Sequence, residues 1–350
     1  MEKKRSRKQS VLVGMSGGVD SSAVVLLLQS NGYEVVGVTF RMFESNCNDS
    51  IDYAINLAKR LGIRHEVVDL TTQFKKNVID YFLTEYENGR TPNPCVMCNR
   101  EVKFEELIKY ADSNGIDFVA TGHYANISNS DGRYLLQRAK DLSKDQSYFL
   151  YRLTQDQLER ILFPLGNLTK NEVREIVKDV DLNISKKEDS QEVCFVCDND
   201  YHSFVKKNSS KEFKQGDIVD THGNVLGKHD GLYKYTIGQR KGLGISSNKP
   251  LFVVDIDSER NTVVVGDEDE LYSKEFEVKD VNWISVDELS SPMDVTVKVR
   301  SAAKDIDAVI SKGEEDRVVV RLKEKQRAVT SGQSAVFYQG DTVVGGGVIV

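Results

Sequence analysis

The segment that most constrains the fold is the run Val11-Leu12-Val13-Gly14-Met15, which passes without a break into Ser16-Gly17-Gly18-Val19-Asp20-Ser21-Ser22. A short β-branched apolar run reads as a buried strand, and residues 20–30 are apolar almost all round, as in a buried helix. A strand feeding directly into a helix starts a βαβ unit. Two adjacent glycines at the junction let backbone amides approach an anion with no Cβ in the way, and the helix N-terminus behind them adds partial positive charge. The junction can therefore cradle a pyrophosphate. It is neither a Walker A loop, which ends in Gly-Lys-Ser or Gly-Lys-Thr, nor the spaced three-glycine dinucleotide fingerprint. An isolated Ser-Gly-Gly is more often a tight capped turn, but the whole S-G-G-x-D-S after an apolar strand favours the cradle.

The same alternation continues through the first half. Residues 34–40, 65–70 and 117–121 read as further strands, and Ile51, Ala54, Ile55, Ala58 and Leu61 recur at helical spacing before Gly62. The pattern predicts an α/β fold with a parallel sheet and buried crossover helices. Thr169-Lys170-Asn171-Glu172 has capping-box spacing and leads into Val173, Ile176 and Val177, so helix is expected to about residue 180. From about residue 212 glycine-rich turns separate short alternating strands at 251–257, 261–266, 295–300, 317–322, 334–338 and 342–350, the pattern of a small β-barrel or sandwich. A chain of 350 residues exceeds what one core usually serves, and the composition shifts divide it into 1–205, 206–272 and 273–350.

Charge and cysteine usage narrow the function. The net charge of −7 argues against a generic nucleic-acid coat but leaves room for local basic clusters, at residues 3–8, 138–144, 186–187 and 234–241. No run of eighteen uncharged apolar residues is present, and the basic start leads straight into the first strand with no secretory signal pattern, so a cytoplasmic protein with no membrane contact is expected. Five cysteines, at positions 47, 95, 98, 194 and 197, are too few for a disulfide scaffold of this length. Cys95-Val96-Met97-Cys98 sits in a proline-bounded stretch, and Cys194-Phe195-Val196-Cys197 forms a second C-x-x-C. Paired C-x-x-C spacing is the usual zinc signal, although the separation here is far longer than in ordinary zinc ribbons. Buried inert cysteine remains a reading for Cys47 and Cys197. His123 reads as a hydrogen-bonded structural residue at a strand end.

The S-G-G-V-D-S loop resembles that of the pyrophosphatase-loop ATP enzymes, which split ATP between the α and β phosphates and adenylate an oxygen. Six motifs then resemble the tRNA-specific 2-thiouridylase family in order along nearly the whole chain: PNPCVMCN, ATGHY, KDQSYFLY, DSQEVCF, YTIGQRKGLGI and SGQSAVFY. The resemblance implies a HUP-like domain of the adenine nucleotide alpha hydrolase type, a central tRNA-binding domain and a C-terminal β-barrel. It also implies ATP-dependent thiolation of the wobble uridine, position 34, in the tRNAs for lysine, glutamate and glutamine, with a cysteine desulfurase or a sulfur-relay protein as donor.

Residue by residue, it implies ATP contacts at Gly14, Met15, Ser16, Gly17, Gly18, Val19, Asp20, Ser21 and Gly122, with Phe40 beside the adenine. Asp20 would help hold Mg2+. Cys194 would carry a persulfide and Cys98 would be its partner nucleophile, the cycle closing through a disulfide that cellular thiols reopen. Asn93, Pro94 and Cys95 would border the target base, with Lys144, Asp145, Gln146, Arg300 and Ser301 on the tRNA. Tyr235, Gln239, Arg240 and Lys241 form an aromatic and cationic mixture suited to phosphate and stacked bases. Two departures stand out: many members have aspartate at Cys95, and the family's Arg-Tyr pair is Arg300-Ser301 here. Cys95, Cys98 and Cys194 offer an alternative, three thiolates holding an iron–sulfur cluster that carries transferable sulfide. Competing readings are an amidating ligase with the same loop, which would need no cysteine pairs, and a metal-stabilised RNA-binding protein without turnover.

Overall fold

The structure, a computed structural model, describes residues 7–43, 49–178, 193–196 and 200–350. Its chain gathers into two compact units, one of Met1–Asn77, Val96–Gln191 and Asp341–Val343, the other of Val78–Cys95, Glu192–Gly340 and Val344–Val350.

The first unit is built on β1 (Ser10–Gly14), α1 (Val19–Ser30), β2 (Glu34–Arg41), α2 (Asp49–Leu61), β3 (Arg64–Asp69), β4 (Phe118–Ala120), the hairpin β5 (Asn126–Ser130) and β6 (Arg133–Gln137), and β7 (Ile161–Leu162). Its parallel sheet has the order β3-β2-β1-β4-β7. Val11, Leu12 and Val13 are fully buried, as expected of a central strand covered on both faces. Full burial of each such side chain is worth about 1.5–3 kcal/mol. Helix α1 buries Val19, Ala23, Val24, Val25 and Leu28, which explains why its sequence shows no polar stripe. The strand order reverses between β1 and β4, so their carboxyl ends open a crevice at the topological switch point, where ligands of such sheets bind.

The second unit holds two β structures. In the first, β8 (Gly216–Asp220), β9 (Val225–His229), β10 (Phe252–Asp257) and β11 (Thr262–Gly266) form a sheet of order β10-β11-β8-β9 around Ile218, Leu232, Leu243, Val253, Val263 and Val265. In the second, β12 (Tyr272–Trp283), β13 (Met293–Lys298), β14 (Ile306–Lys312), β15 (Val318–Arg327), β16 (Ser334–Gln339) and β17 (Thr342–Ile349) run in the order β12-β15-β14-β13-β16-β17. Pairing of β12 with β17 closes the ring, which decides for a barrel over a sandwich and leaves no exposed edge. Val297, Ala308, Ile310, Val320, Ala335 and Phe337 fill it.

The expected strands are present within one or two residues, 295–300 being observed as Met293–Lys298, except 317–322, which runs on to Arg327. The capping box at Thr169 is formed and the helix Lys170–Val177 follows. Unanticipated was the β5–β6 hairpin, although Asp131-Gly132 marks it: both residues take positive φ (52° and 87°), as a two-residue type I′ turn requires. Among the described residues no helix is long and apolar enough to cross a membrane.

Candidate active site

Main chain organises the loop after β1. Met15 N–H donates to Val38 O at 2.7 Å, and Thr39 Oγ1 donates to Met15 O at 2.8 Å, so the first loop residue is tied to β2 from both sides. Thr39 Oγ1 also lies 2.9 Å from His65 Nε2; burial lowers the His65 pKa against a smaller opposing pull from Glu66. Gly17 has φ of +69°, a conformation that costs a side-chain-bearing residue strain. Gly18 caps α1 without any side-chain hydrogen bond to the helix amides. The hydroxyls of Ser21 and Ser22 donate back to Gly18 O, at 3.2 and 2.7 Å, leaving the first-turn amides of α1 to face the crevice end of the sheet. Gly122, just past β4, closes the cradle: a Cβ there would lie 2.7 Å from Asp20 Cβ and 3.1 Å from Ser21 N. Phe40, half-buried, is the penultimate residue of β2, at the same end of the sheet. Gly14, Met15, Ser16, Gly17, Gly18, Val19, Asp20, Ser21 and Gly122 thus come together around one loop.

Asp20 has partners that sequence reasoning missed. Lys170 Nζ donates to both its oxygens at 2.9 Å, and Tyr124 Oη donates to Oδ1 at 2.8 Å. The lysine also lies 5.7 Å from the centre of the Tyr124 ring. Lys170 is 150 residues away in sequence and had been visible only as the first residue of a capped helix.

His123 is half-buried between Phe104 and Phe163, with ring centroids 5.6 and 6.0 Å away, and its Nδ1 lies 2.7 Å from Thr121 Oγ1. Burial, helped by the charge on Lys103, pushes its pKa down to about 3, so the ring is neutral near neutral pH.

The cysteines sit in different settings. Cys95 is exposed on the helical turn Pro94–Met97, while Cys98 is buried and begins the π-helical stretch Cys98–Phe104. Such wide turns are rare and concentrate at functional sites. Asn99 follows, 3% exposed, its Nδ2 donating to Phe149 O at 3.2 Å while Oδ1 finds no partner among the described residues. Cys194 is exposed in a turn closed by Val196 N–H to Val193 O at 3.1 Å. Its neighbour Phe195 is buried edge-on against Phe82 and packed on Phe204, with centroids 5.2 and 5.4 Å apart. Cys47 and Cys197 lie outside the described residues, as do Lys186 and Lys187. Among the described residues no group of three or more His, Cys, Asp or Glu side chains is placed to hold a metal ion.

Of the residues expected at the RNA, Asn93 and Pro94 are buried. Their stretch is laced to the S-G-Q-S segment: Gln333 Nε2 donates to Thr91 O and Pro92 O at 3.0 Å, and Thr91 N–H donates to Ser331 O at 3.0 Å. Asp145 is an internal organiser of its loop, taking Ala139 N–H at 3.0 Å and Ser147 Oγ at 2.8 Å with its side chain 3% exposed. Gln146 Oε1 accepts Tyr124 N–H at 2.9 Å, and Lys144 is half-exposed. Arg300 Nη2 donates to Thr330 Oγ1 at 2.6 Å and Ala328 O at 3.2 Å, while Ser301 is exposed. Tyr235 corrects an expectation: it is 6% exposed within the Ile218, Leu232 and Val253 core and is closed to stacking on a base. Arg240 and Lys241 beside it are exposed.

Residues 9–198 match the family described as the tRNA methyl transferase HUP domain, 202–267 the tRNA methyl transferase PRC-barrel domain, and 273–349 the aminomethyltransferase β-barrel domain. Fold and loop therefore define a HUP-domain protein of the nucleotide-loop class with two β domains appended. At full length the chain is 52% identical to the tRNA-specific 2-thiouridylase MnmA of Acetivibrio thermocellus, covering 98% of this chain and 99% of the relative. The corresponding proteins of Clostridium perfringens and Clostridioides difficile are each 48% identical, covering 98% and 97% of this chain and 98% of each relative. The chain belongs to the tRNA-specific 2-thiouridylase MnmA family, a family of tRNA sulfurtransferases.

Proposed function

We propose that the protein converts the wobble uridine, position 34, of the tRNAs for lysine, glutamate and glutamine to 2-thiouridine at the expense of ATP, in the cytosol. The observation that carries the reading is the residue 14–21 loop, an anion cradle of main-chain amides, in a chain half identical over its whole length to 2-thiouridylases. The cradle fits a polyphosphate because the first-turn amides of α1 lack side-chain caps and Gly122 leaves the space that a Cβ would fill. Phe40 offers an apolar edge for the adenine. Mg2+ would ride on the phosphates, with Asp20 as its protein ligand alongside Lys170 and Tyr124.

In this reading the uridine O2 attacks the α-phosphorus. The Pα–O–Pβ bond breaks, pyrophosphate leaves and the N3 proton is lost, so that C2 now carries AMP as a good leaving group. A terminal persulfide sulfur on Cys194, loaded by a cysteine desulfurase or relay protein, then attacks C2 and displaces AMP. The Cys98 thiolate attacks Cys194 Sγ and breaks its bond to the transferred sulfur, which stays on C2 as a thiolate; N3 takes up a proton to give the thiocarbonyl, and the disulfide left between the cysteines is reduced by an external thiol. Exposure of Cys194 suits loading by a protein donor, and burial of Cys98 suits a nucleophile shielded from other disulfides. Asn93, Pro94 and Cys95 border the base, and Lys144, Asp145, Gln146, Arg300 and Ser301 form the tRNA-facing set. Asp145 acts there by shaping the loop that presents Lys144.

Incubation with unmodified tRNA, ATP, Mg2+ and a persulfide donor, followed by nucleoside mass spectrometry, tests the proposal. It predicts 2-thiouridine at one position and one AMP per thiolation. Absence of 2-thiouridine, or its formation without ATP, would contradict it. Thiolation that tracks bound iron and sulfide in anaerobically prepared protein would replace the persulfide route with the cluster on Cys95, Cys98 and Cys194.

A further inference from the structure

The chemistry above gives Asp20 a place beside the metal but gives Lys170 none of its own. Asp20 is the second residue of α1, so its carboxylate stands within the first turn of the helix whose amides form the cradle. An ionised carboxylate there occupies the electrostatic position that an incoming phosphate would take, and it repels that phosphate across a short, partly desolvated distance. Lys170 answers this charge directly. Its ammonium reaches both carboxylate oxygens at 2.9 Å. Its side chain is 7% exposed against 30% for Asp20, so the cation backs the carboxylate from the protein side and leaves the solvent side open. Tyr124 Oη fixes the rotation by donating to Oδ1.

The lysine itself is rigidly delivered. Thr169 caps its helix in a reciprocal box with Glu172, and Lys170 N–H donates to Asp141 Oδ2 at 3.1 Å. The other charges at that helix start are matched locally: Lys140 Nζ lies 3.3 Å from Glu172 Oε1, and Asp141, its pKa lowered chiefly by a hydrogen bond from Ser143, also accepts from Lys170 N–H. Among the described residues, Lys170 is thus a cation that the structure directs at the loop. A buried ammonium is tolerated only where a counter-charge meets it, which ties the two residues into one neutral unit.

We propose that Lys170 is a binding determinant of the nucleotide cradle that acts through Asp20, cancelling the carboxylate's charge so that the loop accepts a polyanion. The inference rests on the nucleotide reading and extends it to a residue outside the loop.

Equilibrium binding of ATP in EDTA, measured by calorimetry, tests it apart from turnover and from any metal role of Asp20. Lys170→Met should weaken ATP binding at least about 10-fold, Lys170→Arg should stay within about 3-fold of the unaltered protein, and Asp20→Asn/Lys170→Met should recover most of the loss. A purely structural tie between the two helices would lower the thermal stability of Lys170→Met and leave the ATP affinity of its folded form unchanged. Asp20→Asn alone leaves an unmatched cation and should tighten metal-free ATP binding about 3-fold or more, which keeps the test alive if Lys170→Met fails to fold. Equal affinity in Lys170→Met, no recovery in a folded double variant, or weaker binding in Asp20→Asn overturns the inference. Absence of ATP binding in the unaltered protein instead overturns the nucleotide reading on which it stands.

Discussion

The loop at residues 14–21 is held largely by main chain, whereas the turn that carries Cys194 is anchored by the aromatic side chain next to it. In the first, strand register, a left-handed glycine and two serine hydroxyls returning to Gly18 fix the amides in place. In the second, Phe195 sits among Phe82 and Phe204 and a turn hydrogen bond closes residues 193–196. A site that binds a fixed anion gains from preorganised backbone, because nothing reorganises when charge arrives. A cysteine that must receive sulfur from a donor protein and then deliver it gains from an anchor that holds one end and leaves the thiol exposed.

The largest effects should separate the two regions. Cys98→Ser and Cys194→Ser should each lower thiolation at least about 100-fold, since removing a nucleophile removes the step it carries. ATP affinity should stay within about 2-fold, and a parallel loss of ATP binding would break the division. Gly122→Ala should do the reverse. Its new Cβ would press on Asp20 Cβ and the Ser21 amide, costing about 1–3 kcal/mol of stability and about 10-fold in ATP affinity. Unchanged affinity in calorimetry would show that the close approach does not shape the cradle.

Phe195→Ala should be milder. Loss of a buried ring costs about 3–5 kcal/mol in a full core, and less at this partly open turn. Thiolation should fall about 10-fold with ATP binding intact, and Phe195→Leu should recover much of it. Loss of ATP binding as well would mean that the anchor supports more than the cysteine turn.

The smallest effect is a pH dependence in the first unit. The folded pKa of His123, about 3, lies below its unfolded value near 6.5, so the unfolded chain binds the proton first between these limits. The contribution of neutral His123 is fully present above about pH 6.5 and is lost as pH falls toward 3, by at most about 1.4 kcal/mol per pH unit. Denaturant titrations of the unaltered protein and His123→Asn should therefore converge as pH drops from 7 to 4. A constant gap would contradict the neutral ring.

What could be read from residues alone follows the same division. The cradle was legible because its parts are contiguous and their chemistry is carried by glycine and helix start, which sequence displays directly. The β-barrel strands showed their alternation, and only closure through β12 and β17 decided between barrel and sandwich, because that pairing joins segments some 70 residues apart. Lys170 was hidden because a charged residue at a helix start looks solvated until the fold brings Asp20 to it. Tyr235 misled for the opposite reason: its basic neighbours suggested an exposed platform, while its ring fills the core of the β8–β11 sheet. Asp145 in a polar loop gave no sign that its carboxylate would hold that loop together from within.

The most direct test of the account is a single-turnover reaction of the Cys98→Ser/Cys194→Ser protein with tRNA, Mg2+ and ATP, scored for pyrophosphate and for 2-thiouridine. If the cradle and the cysteines are separately built and act in sequence, pyrophosphate is released on tRNA addition at close to the unaltered rate while no 2-thiouridine forms. Thiolation by the double variant, or a folded double variant that binds ATP yet releases no pyrophosphate with tRNA, would contradict that order of events.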